Sequence, residues 1–238
     1  MTNDWLDRTT LLIGDEKSKK LQGARILIVG LGGVGGFAAE FLARAGVGKM
    51  TIVDGDNVDA TNKNRQIIAL DSTVGKSKAE LVKSRMKDIN PSMEIEAIQR
   101  FLEPEMMLDL VGEGFDYVLD CIDSIQPKFH LILACKRHNT RFISSMGAGG
   151  KMDISKVKVM SIWATENDGI AYQIRKRLKK KNAQRKFPVV CSTEQVKEES
   201  LAFTDGENFK KTFYGTISYM PAIFGLYMAE YVIRKLID

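Results

Sequence analysis

At 238 residues, 44% hydrophobic and 27% charged, the chain is long enough to bury one sizeable core and reads as a single α/β unit. Its opening MTNDWLDR is polar and acidic, which excludes a basic-then-apolar export signal; the longest apolar tract, Ile217 to Ile233, is broken by Pro221, Gly225 and Glu230 and reads as a buried or interface helix, with no membrane implied and a cytoplasmic setting expected. The formal charge of +5 is local: residues 175–186 hold eight Lys/Arg and no acid, and the remainder carries 27 basic against 30 acidic residues, a net of −3.

In chain order, Arg8 precedes an apolar spacing that predicts a short amphipathic helix from Leu11 to Leu21. Arg25 to Gly36, RILIVGLGGVGG, reads as a buried strand, a tight turn at Gly30, Gly32, Gly33 and Gly35, and a helix start. Glycine removes the Cβ that would keep a phosphate from the backbone amides, so this turn is a nucleotide site, although the G-x-G-x-x-G pattern alone also serves dehydrogenases, flavoproteins and methyltransferases. A second strand, Lys49 to Val53, delivers Asp54 about 20 residues beyond the glycines, where an acid accepts the ribose hydroxyls of a Rossmann-type unit.

The polar run Asp56 to Gln66 ends in Asn62, Asn64, Arg65 and Gln66, and Lys76 and Lys78 stand at the start of a helix ending near Asn90. A lysine there opposes the helix dipole, a cost that a bound anion relieves, whereas a solvated helix start is the bland alternative. Strands at Glu94 to Gln99, Tyr117 to Asp120 and Phe142 to Ser145 alternate with helices after Pro104 and over Ile125 to His138. Asp120 and Asp123 then lie at a carboxyl strand edge, where they suit Mg²⁺ or a helix cap. Beyond Gly147 to Gly150, Val157 to Trp163 and Phe187 to Cys191 read as strands, the latter antiparallel, and Ile170, Ile174 and Leu178 space a helix with basic outer faces. Residues 193–212 read as a loop or partly disordered, and Thr216 to Leu236 as the closing helix. Cys121, Cys135 and Cys191 are far apart, with no C-x-x-C pair for zinc, and fit reduced packing thiols.

Taken together, G-L-G-G-V-G, D-G-D-x-V, N-x-N-R-Q, G-K-x-K-A and D-x-x-D resemble the adenylating domain of the ubiquitin-activating-like superfamily that includes ThiF, MoeB and HesA. Within it the chain is most similar to the tRNA threonylcarbamoyladenosine dehydratases, through ALDSTVGKSKAE, DSIQPK, SSMGAGGKMD, RKRLKK, VVCSTE and GTISYMPAIFG. The resemblance implies a Rossmann-like, doubly wound, mostly parallel sheet with an antiparallel C-terminal extension. It also implies one adenylating domain over 1–238, with a nucleotide-binding half at 1–150 and a basic crossover, antiparallel strands and C-terminal helix at 151–238. By the same resemblance Gly30, Gly32, Gly33 and Gly35 wrap ATP, Asp54 holds the ribose, and Arg65, Gln66 and Lys78 contact the phosphates with Asp56 and Asn62 beside them. Asp123 would bind Mg²⁺, and Arg8 would act across a homodimer on the partner's ATP. The substrate implied is tRNA carrying threonylcarbamoyladenosine, gripped through Arg175, Arg177, Lys179, Lys180 and Lys181. A monovalent cation near residues 147–150 and a sulfur-transfer partner protein stay open, and zinc is not expected.

The chemistry explains the residue types. A carboxylate attacking the α-phosphorus of ATP is already ionised and needs no general base, whereas charge building on the phosphate oxygens calls for fixed cations and Mg²⁺. An activator of a ubiquitin-like sulfur carrier would share this site. An NAD-dependent oxidoreductase would leave Arg65, Lys78 and Asp123 without work, and a non-enzymatic RNA-binding protein would need the site to be vestigial.

Overall fold

The computed structural model describes residues 4–196, 198–203 and 212–238. Runs rich in β-branched and leucine residues form the inner parallel strands, because helices must cover both sides of such a sheet. They are β1 (Arg25–Val29), β2 (Lys49–Val53), β4 (Tyr117–Asp120) and β5 (Phe142–Ser145), with the half-exposed β3 (Glu94–Ile98) at one edge and β6 (Val157–Ser161) and β7 (Pro188–Ser192) completing the sheet. The seven strands lie in the order β3-β2-β1-β4-β5-β7-β6. The chain winds one way from β1 to β3 and the other way from β4, so the crevice for a ligand opens at the carboxyl ends of β1 and β4.

Helices α3 (Gly35–Arg44), α4 (Lys78–Ile89) and α8 (Tyr219–Ile237) cover one face through Ala38, Leu42, Val82, Met86, Phe224 and Met228. The other face is covered by α5 (Pro104–Gly112), α6 (Ile125–Arg137) and α7 (Gly169–Lys180), whose Val111, Ile132 and Ile174 belong to one buried cluster with Leu27 and Val118. Among the described residues no helix is long and apolar enough to cross a membrane.

Three expectations change. The N-terminal helix is two helices, α1 (Asp7–Ile13) and α2 (Asp15–Gly23), because Gly14 between them takes φ +87°, a left-handed turn that no periodicity signals. Strand β7 is antiparallel only to β6; toward β5 it pairs in parallel. Within the stretch expected to be a loop, β8 (Leu201–Phe203) pairs antiparallel with β9 (Thr212–Tyr214), whereas residues 197 and 204–211 lie outside the described residues.

Glu40 on α3 is buried, yet it accepts hydrogen bonds from Arg44 Nε at 2.8 Å and Arg85 Nε at 2.6 Å, joining α3 to α4. Burial pushes its carboxyl upward, but the Arg85 and Arg44 guanidinium groups outweigh burial and hold it below the usual carboxylate range. A group depressed in the folded state stabilises above its unfolded value and loses that contribution as pH falls through the folded one. Glu40→Gln is therefore expected to cost about 1–2 kcal/mol at neutral pH. Denaturant titrations should show the two proteins converging below pH 4; a difference that persists there would assign the cost to packing.

Candidate active site

The turn after β1 is shaped by close approach. A Cβ on Gly35 would lie 1.8 Å from the Gly30 carbonyl oxygen, and one on Gly30, itself at φ +90°, would lie 2.8 Å from the Cys121 carbonyl oxygen. The turn is thus folded back on itself and pressed against the segment that follows β4, which brings Asp120 to Asp123 to its side.

Asp54 closes the next side. Its Oδ2 accepts the Leu31 N–H at 2.6 Å and its Oδ1 the Asp56 N–H at 2.8 Å, so the carboxylate is fixed at the mouth of the glycine turn. Burial pushes the Asp54 carboxyl upward, and the Lys78 ammonium is the largest influence pulling it back. Lys78, at the first position of α4, is buried and places Nζ 3.0 Å from Asp56 Oδ2. Ser77 caps that helix by accepting the Glu80 N–H.

Arg65 and Gln66 form the wall opposite. A Cβ on Gly33 would lie 3.1 Å from the Arg65 carbonyl oxygen, and one on Gly32 would lie 3.6 Å from Gln66 Nε2. Buried Asn62 organises this wall: it shares a capping box with Asp59, and its carbonyl accepts the N–H groups of Arg65 and Gln66. Arg65 Nη1 donates to the Thr61 carbonyl and to Asn64 Oδ1, while Asn64 Nδ2 ties the wall to Thr216, just before α8. Gln66 Oε1 is buried without a hydrogen-bond partner among the described residues. An orphaned amide oxygen on a side chain that lines a glycine cradle calls for a donor from a ligand, such as a hydroxyl or amino group, since a phosphate oxygen only accepts.

Asp120 and Asp123, both at the strand edge in the sequence, differ in the fold. Asp120 is buried and receives Lys128 Nζ at 2.8 Å, so it is committed to an internal ion pair, whereas Asp123 is exposed in the segment that follows β4. One exposed carboxylate beside the glycine turn fits Mg²⁺, which keeps several waters and takes few protein ligands; among the described residues no group of three or more acidic, histidine or cysteine side chains is placed to hold a metal ion. Cys191 is fully buried in β7 and burial pushes its thiol up to about 12, so it serves as packing rather than as a nucleophile.

Two expected groups stand apart. Arg8 is exposed on α1, whose preceding Leu6 packs at Gly46 before β2, and no contact of the described residues brings it to the turn in its own chain. On α7, Arg175 turns inward, its Nη1 donating to the Thr165 carbonyl at 3.0 Å and to Thr165 Oγ1, while Lys176, Lys179, Lys180 and Lys181 are exposed. Arg177 reaches Gln126 on α6, and Lys179 Nζ sits 5.9 Å from the Trp163 ring centre. Phe101 was not signalled by sequence: its ring lies against Gly55, next to Asp54, and is 58% exposed.

A model of the ThiF family matches residues 6–238. The chain belongs to the ThiF family. It is 37% identical over 237 residues, 97% of this chain and 93% of the relative, to the tRNA threonylcarbamoyladenosine dehydratase of Bacillus subtilis (strain 168). The structure of the Escherichia coli tRNA N6-threonylcarbamoyladenosine dehydratase in complex with ATP superposes with a TM-score of 0.88 at 33% identity, covering 99% of this chain and 96% of that one. Similarity to the molybdopterin-synthase adenylyltransferase of Haemophilus influenzae, 37% identical, spans 57% of this chain and 54% of that relative. The mostly parallel sheet with its antiparallel pair is the fold of these dehydratases.

Proposed function

We propose that this protein adenylates the carboxylate of threonylcarbamoyladenosine in tRNA with ATP and closes the threonylcarbamoyl group into a ring. The observation that carries the reading is extent: likeness to a dehydratase runs over 97% of the chain, whereas likeness to the molybdopterin-synthase adenylyltransferase covers 57% and to an adenylyltransferase and sulfurtransferase 64%. The carboxylate oxygen attacks the α-phosphorus as the bond to the β-phosphate breaks and pyrophosphate leaves. The modification's own nitrogen or oxygen then attacks the acyl carbon and releases its proton to solvent, AMP departs with the carboxylate oxygen, and the modification has lost the elements of one water.

The chain's own groups divide this work. The glycine turn holds the phosphates against backbone amides, and Asp54 accepts the ribose hydroxyls. Phe101 offers the purine a stacking face beside them. Arg65 and Lys78 stabilise the charge that grows on the phosphate oxygens, Gln66 completes its hydrogen bonding on the nucleotide, and Asp56 and Asn62 fix Lys78 and Arg65. Asp123 would hold Mg²⁺, which when bound supplies further positive charge to the phosphates.

The chain works as one cytoplasmic unit, with the second half completing the sheet and α8 resting on the first half. It acts as a homodimer in which Arg8 serves the partner's ATP. Leu11 and Leu12, beside Arg8 on α1, are each 85% exposed, a pair of apolar side chains suited to a second copy. The outward face of α7, with Arg177, Lys179, Lys180 and Lys181, takes the tRNA backbone, and Arg175 braces that helix from within.

Incubation with ATP, Mg²⁺ and threonylcarbamoyladenosine-bearing tRNA is expected to remove one water mass from that nucleoside, and Asp123→Ala to leave it unchanged; an unaltered nucleoside with the parent protein would refute the substrate assignment. The triple variant Arg177, Lys180 and Lys181→Ala is expected to flatten the log–log salt dependence of tRNA binding by about 2 to 3, one counterion set per lost phosphate contact. An unchanged slope would place the RNA elsewhere.

A further inference from the structure

The fully buried side chain of Lys128 takes no part in the nucleotide site, and a buried ammonium is costly unless it is paired. Its Nζ donates to Asp120 Oδ2 at 2.8 Å and to Ser144 Oγ at 3.2 Å, and the Ser144 hydroxyl donates to the same Asp120 oxygen. Asp120 Oδ1 accepts the Ile122 N–H at 3.1 Å.

These bonds bracket a short segment. Asp120 ends β4, Lys128 lies in the first turns of α6, and residues 121–124 connect them, with the Lys128 N–H also donating to the Ser124 carbonyl at 3.2 Å. Ser144 stands beside Asp120 on the neighbouring strand β5, in direct register. The connector is therefore tied at both ends and at Ile122, it presses its Cys121 carbonyl against Gly30, and it carries Asp123 on its exposed side. An ordinary packed core would meet the stability requirement with apolar groups at lower desolvation cost, whereas a charged triad under the loop that carries Asp123 fixes direction.

Resting on the adenylation reading above, we infer that Asp120, Lys128 and Ser144 are positioning residues, a buried ion-pair triad that aims the Asp123 carboxylate at the nucleotide-bound divalent cation. The triad touches neither substrate nor metal; it acts through the backbone of residues 121–124.

The test is the ATP-induced rise in melting temperature titrated with Mg²⁺, alongside tRNA affinity, for Asp123→Ala, Asp120→Asn and Ser144→Ala. Asp123→Ala is expected to abolish the Mg²⁺-dependent part of the shift. Asp120→Asn should raise the Mg²⁺ midpoint on the order of tenfold, with Ser144→Ala a smaller change of the same sign and tRNA affinity unchanged in both. A purely structural triad would lower the ligand-free melting temperature and leave the midpoint where it was, which overturns the inference. If Asp123→Ala itself leaves the midpoint unmoved, the metal assignment falls and the inference falls with it. Should Asp120→Asn fail to fold, Ser144→Ala decides alone, since it removes one hydroxyl and leaves the ion pair in place.

Discussion

Lys78→Ala is expected to lower the adenylation rate on the order of 10²- to 10³-fold while leaving the fold intact. The side chain is buried beside Asp56 and acts on Asp54, so its charge is fixed in a partly desolvated site, where it stabilises the growing phosphate charge far more than a solvated lysine would. Its removal costs the apo protein part of the charge that compensates buried Asp54, a loss limited because a cation at the first position of α4 opposes the helix dipole and Asp56 remains partly solvated. The Asp54 carboxyl, already pushed upward by burial, rises further without the ammonium, so the acid limb of the residual activity should move to higher pH. Rates of pyrophosphate release across pH measure both effects. Full turnover with an unmoved acid limb would show that Lys78 belongs to the fold and not to the chemistry.

Gly35→Ala should unfold the site from the inside. The added methyl would lie 1.8 Å from the Gly30 carbonyl oxygen and 3.2 Å from Cys121 Cβ, and the nearest atom is backbone that no rotamer change can move. A cost of about 3 kcal/mol is expected, lowering the melting temperature by about 6–12 °C for a chain of this size. Gly32→Ala is the informative contrast. There the nearest atom is the Gln66 amide at 3.6 Å, so the fold tolerates the methyl, but it occupies the cradle where phosphate must approach. Its ligand-free melting should match the parent, and the stabilisation by saturating ATP, about 2.7 kcal/mol at a hundredfold excess over Kd, should vanish. If Gly35→Ala melts with the parent, the turn does not have the closed form described.

The differing legibility of the elements has physical causes. Strands at Lys49 to Val53, Tyr117 to Asp120 and Phe142 to Ser145 are legible in the sequence because both faces are buried, which favours short runs of apolar and small residues bounded by polar turns. The break at Gly14 is not legible because one left-handed residue redirects a chain without disturbing the apolar spacing on either side. The parallel partner of β7 is not legible because pairing direction is set by the route of the crossover and is not written in a strand's own residues. Phe101 carried no signal, since an exposed aromatic reads alike wherever it falls and acquires meaning only from Gly55 beside it.

The sequence by itself determined the glycine turn, the acid after the second strand, the cations near residues 65 and 78, and the concentration of positive charge at 175–186, because each follows from local residue chemistry at fixed spacing. The family resemblance singles out Asp123, but only the tertiary structure decided what separates it physically from Asp120, which is three residues away with the same side chain. Lys128 from α6 and Ser144 from β5 converge on Asp120 and leave Asp123 at the surface. Likewise only packing turned Arg175 away from its basic neighbours, because a helix face is chosen by what the helix rests on, and here Thr165 lies beneath that one arginine.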